Sequence, residues 1–293
     1  MKVVQYLPYD DVGGVGFRTA RALNRHRPDW DVKAYRGAPS YLQFPEHSRW
    51  HWPTIARDCY EADVVHSHDH RAKIVNRLAD VVTFHGTGFR EGPAASLAHA
   101  GDARVLVSTL DLWLQAPDEV EWMPQMDDLD ALASHVVPHG TDKVRVCHAP
   151  TNRALKSTHE FLAACERLQA QGAPLDVVLI EGVSWAEAVK IKGTCDVVFD
   201  QTAYGYGGNA IEAWARGLPV ICGAADATLE EYERRFGSLP FVVADPGSIE
   251  NALELLLQPV ERGYWGQKGR MHAQRFHSQQ AGVERLAGIY TTL

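Results

Sequence analysis

The strongest constraint on this chain is a recurrence of short apolar runs that do not alternate with polar residues. The first half has "KVVQYL" from residue 2, "DVKAY" from 31, "ADVVHSH" from 62, "DVVTFHG" from 80 and "ARVLVS" from 103. The second half has "KVRVCHA" from 143, "DVVLIEG" from 176, "CDVVFDQ" from 195, "LPVICG" from 218 and "PFVVAD" from 240. A strand with one wet face alternates; a strand apolar through its length is covered on both faces, as in parallel sheets flanked by helices. Helical periods lie between several of these runs. "FRTARALNRH" turns Phe17, Ala20 and Leu23 to one face and groups Arg18, Arg21 and Arg25 on another. "THEFLAACERLQAQG" spaces Phe161, Leu162, Cys165 and Leu168 helically and stops at Gly172. The expected fold class is α/β, built as two Rossmann-like doubly wound domains.

The boundaries follow from where this pattern lapses. Residues 1–125 read as the first domain, 126–142 as a linker and 143–275 as the second domain; the stretch 116–143 around this seam is rich in Pro and Asp and lacks a clear strand. Residues 276–293 read as a C-terminal helix that packs back on the first domain. The 293 residues are 45% hydrophobic, enough for two packed cores. A formal net charge of −8 argues against a broad nucleic-acid or anionic-membrane surface. The five cysteines, Cys59, Cys147, Cys165, Cys195 and Cys222, form no C-x-x-C pair and read as small buried apolar side chains in a reducing compartment. No leader peptide and no transmembrane run is read, so a cytoplasmic protein is expected.

The polar motifs fall after the strands, where ligands bind in such sheets. Gly13, Gly14 and Gly16 stand between the first strand and a helix; they suit either a tight turn or an anion at the helix start. "HSHDH" puts His66 and His68 on one side of a strand, a zinc-like spacing, but no further ligand cluster accompanies it, and a polar loop is the expected reading. His85 in "TFHGTGFR" suits either a hydroxyl contact or proton transfer, or a structural bond. In "HAPTNRALKSTHEF", Ser157 and Glu160 have the spacing of a capping box, and Arg153 and Lys156 precede the helix they would start. Two cations at a helix N-terminus suit a diphosphate. In "QTAYGYGGNAIEAWARGLPVI", Asn209 and Glu212 could form another capping box, with Gly205, Gly207 and Gly208 shaping the loop. Alternatively, the helix start meets a diphosphate and Glu212 accepts a vicinal ribose diol. The local pattern does not choose between these.

The order of the motifs does. A strand–Gly-Gly–helix start, then "DVVHSHD", "TFHG", "HAPTNRALKST", "IEGV" and "YGYGGNAIEAWARGLPVI", resembles the retaining GT-B-fold glycosyltransferases of the glycosyltransferase 4 type. The resemblance runs through most of the chain and is strongest over 143–222. It implies two domains facing a cleft, with a nucleotide-diphosphate sugar, such as a UDP- or GDP-sugar, bound by the second. It also implies that Arg153 and Lys156 hold the donor diphosphate and Glu212 the ribose. Gly182, Val183, Gly207, Gly208 and Asn209 would complete the donor site, with Gly14 and His85 contributed by the first domain. His85, Arg153 and Lys156 would be catalytic. Where the family often has a second glutamate, eight residues before Glu212, this sequence has Tyr204. The implied reaction is sugar transfer to an acceptor hydroxyl, with retention and without metal or other cofactor. The acceptor is open among glycan, lipid, small molecule, protein and modified nucleic acid. Trp50, His51 and Trp52 would suit a stacked sugar or base. Two alternatives stand: a GT-B-fold nucleotide-sugar epimerase, and a non-catalytic nucleotide-sugar-binding module.

Overall fold

A computed structural model describes residues 1–9, 13–38, 42, 44, 51–74, 76–114, 116–136 and 140–293. Trp50 and residues 137–139 of the expected linker lie outside them. The chain divides into two compact units, one of Met1–Asp128 with Phe276–Leu293, the other of Leu129–Arg275.

The first unit contains β1 (Lys2–Leu7), β2 (Asp31–Arg36), β3 (Val64–His68), β4 (Lys73–Ile74), β5 (Arg77–Leu78), β6 (Val81–Phe84), β7 (Arg104–Val107) and β8 (Glu121–Trp122). Six of these strands form a wholly parallel sheet in the order β2-β1-β3-β6-β7-β8, while β4 and β5 pair as a short antiparallel ribbon. Its helices include α1 (Val15–His26), α2 (Trp52–Glu61), α3 (Thr87–Glu91), α4 (Pro93–Ala100) and α5 (Leu110–Leu114). Strand periodicity splits the core. Val3, Val32, Val64 and Val81 pack with Leu23 of α1 and with Val283, Leu286 and Ala287 near the C-terminus. Their neighbours Val4, Tyr35 and Val65 pack on the other face with Ile55 and Cys59 of α2. Apolar runs covered on both sides are what a non-alternating sequence requires.

The second unit holds α6 (Leu129–Ala133), β9 (Val144–His148), α7 (Thr158–Ala170), β10 (Leu175–Leu179), α8 (Trp185–Lys192), β11 (Val197–Gln201), α9 (Gly208–Ala215), β12 (Val220–Cys222), α10 (Asp226–Phe236), β13 (Val242–Val243) and α11 (Ile249–Leu256). Its sheet is parallel, in the order β10-β9-β11-β12-β13. One face packs Val146, Val197, Phe199 and Ile221 against Phe161 and Leu168 of α7 and Leu253 and Leu256 of α11. Next come α12 (Pro259–Phe276), which runs to the boundary between the units, and α13 (Gln279–Tyr290), which belongs to the first.

Three local expectations change. The segment read without a strand contains β8, whose two residues are too few for any periodicity to reveal, and helix α6. Arg18, grouped by its spacing with Arg21 and Arg25, does not share their exposure; it is 4% exposed and pairs with buried Asp127 at 3.3 Å. His66 and His68 are not in a polar loop but in β3, both buried. All five cysteines are buried and free. Among the described residues no helix is long and apolar enough to cross a membrane.

Burial sets an acid sensitivity. It pushes His66 down to about 3 and His148 and His277 each to about 4. Between the ordinary imidazole value and these, the unfolded chain binds protons that the folded chain refuses, so stability is complete above about pH 7 and falls as the pH is lowered toward about 4. His148 alone accounts for about 3 kcal/mol across that window. Urea unfolding at about pH 7.5 and about pH 5 should show a clear drop in midpoint at the lower pH; equal midpoints would contradict neutral burial.

Candidate functional site

In the second sheet the chain passes from β9 outward to β10 and returns across β9 to β11. The strand order reverses between β9 and β11, and the loops leaving their C-terminal ends meet there. Asp200, fully buried near the end of β11, ties them together. Its Oδ2 accepts the Gly207 N–H at 2.6 Å and its Oδ1 accepts from Lys156 Nζ at 3.3 Å. The Ser157 and Thr202 hydroxyls bond at 2.6 Å, and the Asn209 amide nitrogen donates to the Ala149 carbonyl at 2.9 Å. Lys156, Gly207, Gly208 and Asn209 are therefore drawn together.

Neither proposed capping box forms. Ser157 does occupy the N-cap of α7, but at φ 51, with its hydroxyl committed to Thr202. Helix α9 is capped by Gly207, which has no side chain to bond, and Asn209 lies inside the helix. A serine N-cap at the same spacing is made instead at "SWAE", where Ser184 accepts the Glu187 N–H at 3.2 Å and starts α8. Helix α9 ends as the Gly-Leu-Pro break suggests. Gly217 takes a φ of 72, the Gly217 N–H bonds to the Trp214 carbonyl and the Leu218 N–H to the Ala213 carbonyl, an αL helix stop.

Glu212 sits in an interior charged cluster. It is 3% exposed. Its Oε1 accepts from the Trp185 indole N–H at 2.8 Å and its Oε2 from Lys192 Nζ at 2.6 Å. Lys192, equally buried, also donates to Asn209 Oδ1. Lys192, Trp185 and Asp200 were not singled out from sequence. Asp200 had a visible signal, a carboxylate ending an apolar strand; Lys192 in "EAVKIKG" looks like any solvated helix cation.

Arg153 lies on the exposed part of the same loop and grips Glu181 through Nε at 2.8 Å and a second guanidinium nitrogen. The Arg153 guanidinium holds the Glu181 carboxyl below its ordinary value, and the carboxylate raises the arginine in return. Gly182 and Val183 follow Glu181 directly, Gly182 at φ 67 with open space where a Cβ would stand. Tyr204 is half-buried and bridges to Ala224.

Gly14 and His85 belong to the first unit. Gly14 caps α1 at φ 64, and a Cβ there would lie 2.5 Å from the Phe44 ring; at Gly16 it would lie 2.2 Å from Leu7. Packing thus accounts for both glycines. His85 follows β6, half-buried, its backbone N–H held by Asp69 Oδ1 at 2.7 Å and its Nε2 2.8 Å from His68 Nδ1. Trp52 is 46% exposed at the start of α2, and His51 bonds to Thr54.

Removing one partner of a buried ion pair leaves the other uncompensated, at about 3–5 kcal/mol. Glu212→Gln and Lys192→Met should each lower unfolding stability by about that much, and the double variant by less than their sum. Additive losses in urea unfolding would contradict a direct pair.

No family model matches the sequence, and no curated protein matches it. Solved structures do match, over nearly the whole length of each chain. Anabaena HepE in complex with UDP-glucose is 12% identical with a TM-score of 0.62, covering 99% of this chain and 100% of that one. Sucrose-phosphate synthase from Thermosynechococcus elongatus is 13% identical with a TM-score of 0.65, covering 100% and 99%. An alpha-glucosyltransferase in complex with UDP and a 13-mer DNA containing a HMU base is 9% identical with a TM-score of 0.69, covering 99% of each. At these identities the likeness carries the fold: the chain has the α/β GT-B fold of glycosyltransferases, with two Rossmann-like units.

Proposed function

We propose that the protein is a glycosyltransferase that moves a sugar from a nucleotide-diphosphate donor to an acceptor hydroxyl, and that the second unit binds the donor. The observation that carries this reading is the meeting of Lys156, Gly207 and the start of α9 around Asp200 at the strand-order reversal. There a lysine ammonium and the first N–H groups of a helix converge, the combination that suits a diphosphate. The structural neighbours include proteins bound to UDP and UDP-glucose, which supports a donor of that class.

Arg153 would join Lys156 on the diphosphate. Its pairing with Glu181 is exposed, and such pairs open at little cost. As the sugar–phosphate bond breaks, charge grows on the departing diphosphate, and cations already in place stabilise it more than the ground state. Two protein cations make that possible without metal. Ribose hydroxyls would take the Glu212 oxygen now held by the Trp185 indole, with Lys192 keeping the carboxylate charged. Gly182 and Val183 would lie against the nucleoside, and Tyr204 would meet the donor sugar in place of a carboxylate. Gly14 and His85 would contribute from the first unit. Retention of anomeric configuration and a cytoplasmic location are part of the same reading. The acceptor is a hydroxyl-bearing molecule of unassigned class.

Nucleoside diphosphates and their sugars should raise the melting temperature, a ligand at a hundredfold its dissociation constant adding about 2.7 kcal/mol. Arg153→Ala should weaken nucleoside-diphosphate binding with the melting temperature unchanged, because its pair is exposed. Lys156→Ala should weaken binding and also lower stability, because it leaves Asp200 with fewer partners. Unaltered affinity in both variants would contradict the diphosphate assignment. Transfer should persist in EDTA; loss restored by Mg²⁺ or Mn²⁺ would overturn metal independence. Turnover of a nucleotide sugar to an isomer without acceptor would favour the epimerase reading instead.

A further inference from the structure

A chain of hydrogen bonds crosses the first unit from the C-terminal helix to His85. Gln5 of β1 donates its amide nitrogen to the Tyr290 hydroxyl of α13 at 2.8 Å. The Tyr290 hydroxyl lies 2.6 Å from His66 Nδ1, and His66 Nε2 lies 2.7 Å from the Thr83 hydroxyl. On the other side, Gln5 Oε1 lies 2.9 Å from His68 Nε2, and His68 Nδ1 lies 2.8 Å from His85 Nε2. The three imidazoles stack in series, His66 on His68 at 4.6 Å between centroids and His68 on His85 at 5.1 Å. Every member except His85 is buried.

The chain has one direction. A neutral imidazole has one N–H and one lone pair, while an amide has donors only on nitrogen and acceptors only on oxygen. Burial drives His66 to about 3 and His68 well below its ordinary value, so both rings are neutral where the protein is folded. The Gln5 nitrogen faces Tyr290, so its oxygen faces His68 and must receive the His68 Nε2–H. His68 Nδ1 is then a lone pair, and His85 must supply the proton from Nε2. On the other branch, Tyr290 accepts from Gln5 and so donates to His66, which donates onward to Thr83. Each group finds a complementary partner, and reversing the Gln5 amide, the His68 ring or the His85 ring alone would set donor against donor or lone pair against lone pair.

We infer that Tyr290 and Gln5, acting through His68, are positioning residues that hold His85 as its Nε2–H tautomer, so that Nδ1 is presented as a hydrogen-bond acceptor. Among the described residues Nδ1 has no partner. The group that meets it is therefore a donor, a hydroxyl or N–H, and not the diphosphate diester of a nucleotide sugar, whose ionised oxygens only accept. This rests on the glycosyltransferase reading only in making that donor a sugar or acceptor hydroxyl; the tautomer itself does not depend on it. A tyrosine near the C-terminal end of α13 thus sets which ring nitrogen of His85 faces a ligand.

Long-range proton–nitrogen correlation spectra of the full-length, histidine-labelled protein at about pH 8, above the ordinary imidazole range, read the tautomer directly. His85 is assigned by the peaks lost in His85→Gln. The wild-type protein should show His85 protonated on Nε2 alone. Tyr290→Phe keeps the ring but removes the acceptor that orients the Gln5 amide, and should show both His85 tautomers. Excess sulfate, a dianion with no proton to donate at that pH, should leave the Nδ1 resonance unmoved. A wild-type His85 protonated on Nδ1, an unchanged single tautomer in a folded Tyr290→Phe protein, or an Nδ1 shift with sulfate would each overturn the inference. Should Tyr290→Phe fail to fold, the wild-type spectrum decides alone. Failure of nucleotides to raise the melting temperature would count against the glycosyltransferase reading and leave the tautomer result untouched.

Discussion

A carboxylate with no exposure, Asp200, organises the second unit. An unpaired charge in that position would cost several kcal/mol, so the loops around it must bring donors. Two of them do: the Gly207 N–H and the Lys156 ammonium. Satisfying Asp200 fixes where α9 begins, because the glycine that donates to it is also the cap of that helix. It also draws the long loop after β9 toward the loop after β11. Of the glycines of "YGYGG", Gly205 is required by its φ of 78, while a Cβ at Gly207 would stand 3.5 Å from Asp200 and 3.8 Å from Lys156, ordinary contact distances. The structural demand and the proposed diphosphate site use the same few atoms.

Each unit also carries a polar network inside an apolar sandwich, and the two behave differently. In the second unit the network is charged: Lys192 and Glu212, with Trp185 and Asn209, bind α8 to α9. In the first it is neutral: histidines, a tyrosine and an amide whose protons run in one sense. A charged pair holds its geometry through strong attraction but penalises loss of either partner. A neutral relay costs less to bury, and it transmits orientation because each donor dictates the next acceptor. The first suits anchoring a helix start; the second suits setting one ring nitrogen at an exposed end.

The longer strands and the fold class were legible because both parallel sheets are covered on their faces, which makes runs such as "CDVVFDQ" apolar throughout. The C-terminal break between α12 and α13 was legible as well. What stayed hidden was partner choice. Ser157 and Asn209 had the right spacing for capping boxes, but Thr202 and Ala149, distant in sequence, took their side chains. Glu212 reads as a capping or ribose-binding carboxylate, and nothing near it points to Lys192. The histidines of "HSHDH" read as a polar loop because ligands bind at the C-terminal ends of such strands. Gln5 and Tyr290, which make their burial tolerable, stand 285 residues apart, and no local pattern joins them.

The central claim is that the loops gathered around Asp200 form a nucleotide-diphosphate site. Hydrogen exchange of the full-length protein with and without saturating UDP or GDP tests it most directly. The account predicts slowed exchange in 149–157, 182–185 and 203–212, the segments that converge at the reversal of strand order. Slowing confined to the first unit, or a tightly bound nucleotide that leaves those three segments unchanged, would contradict it.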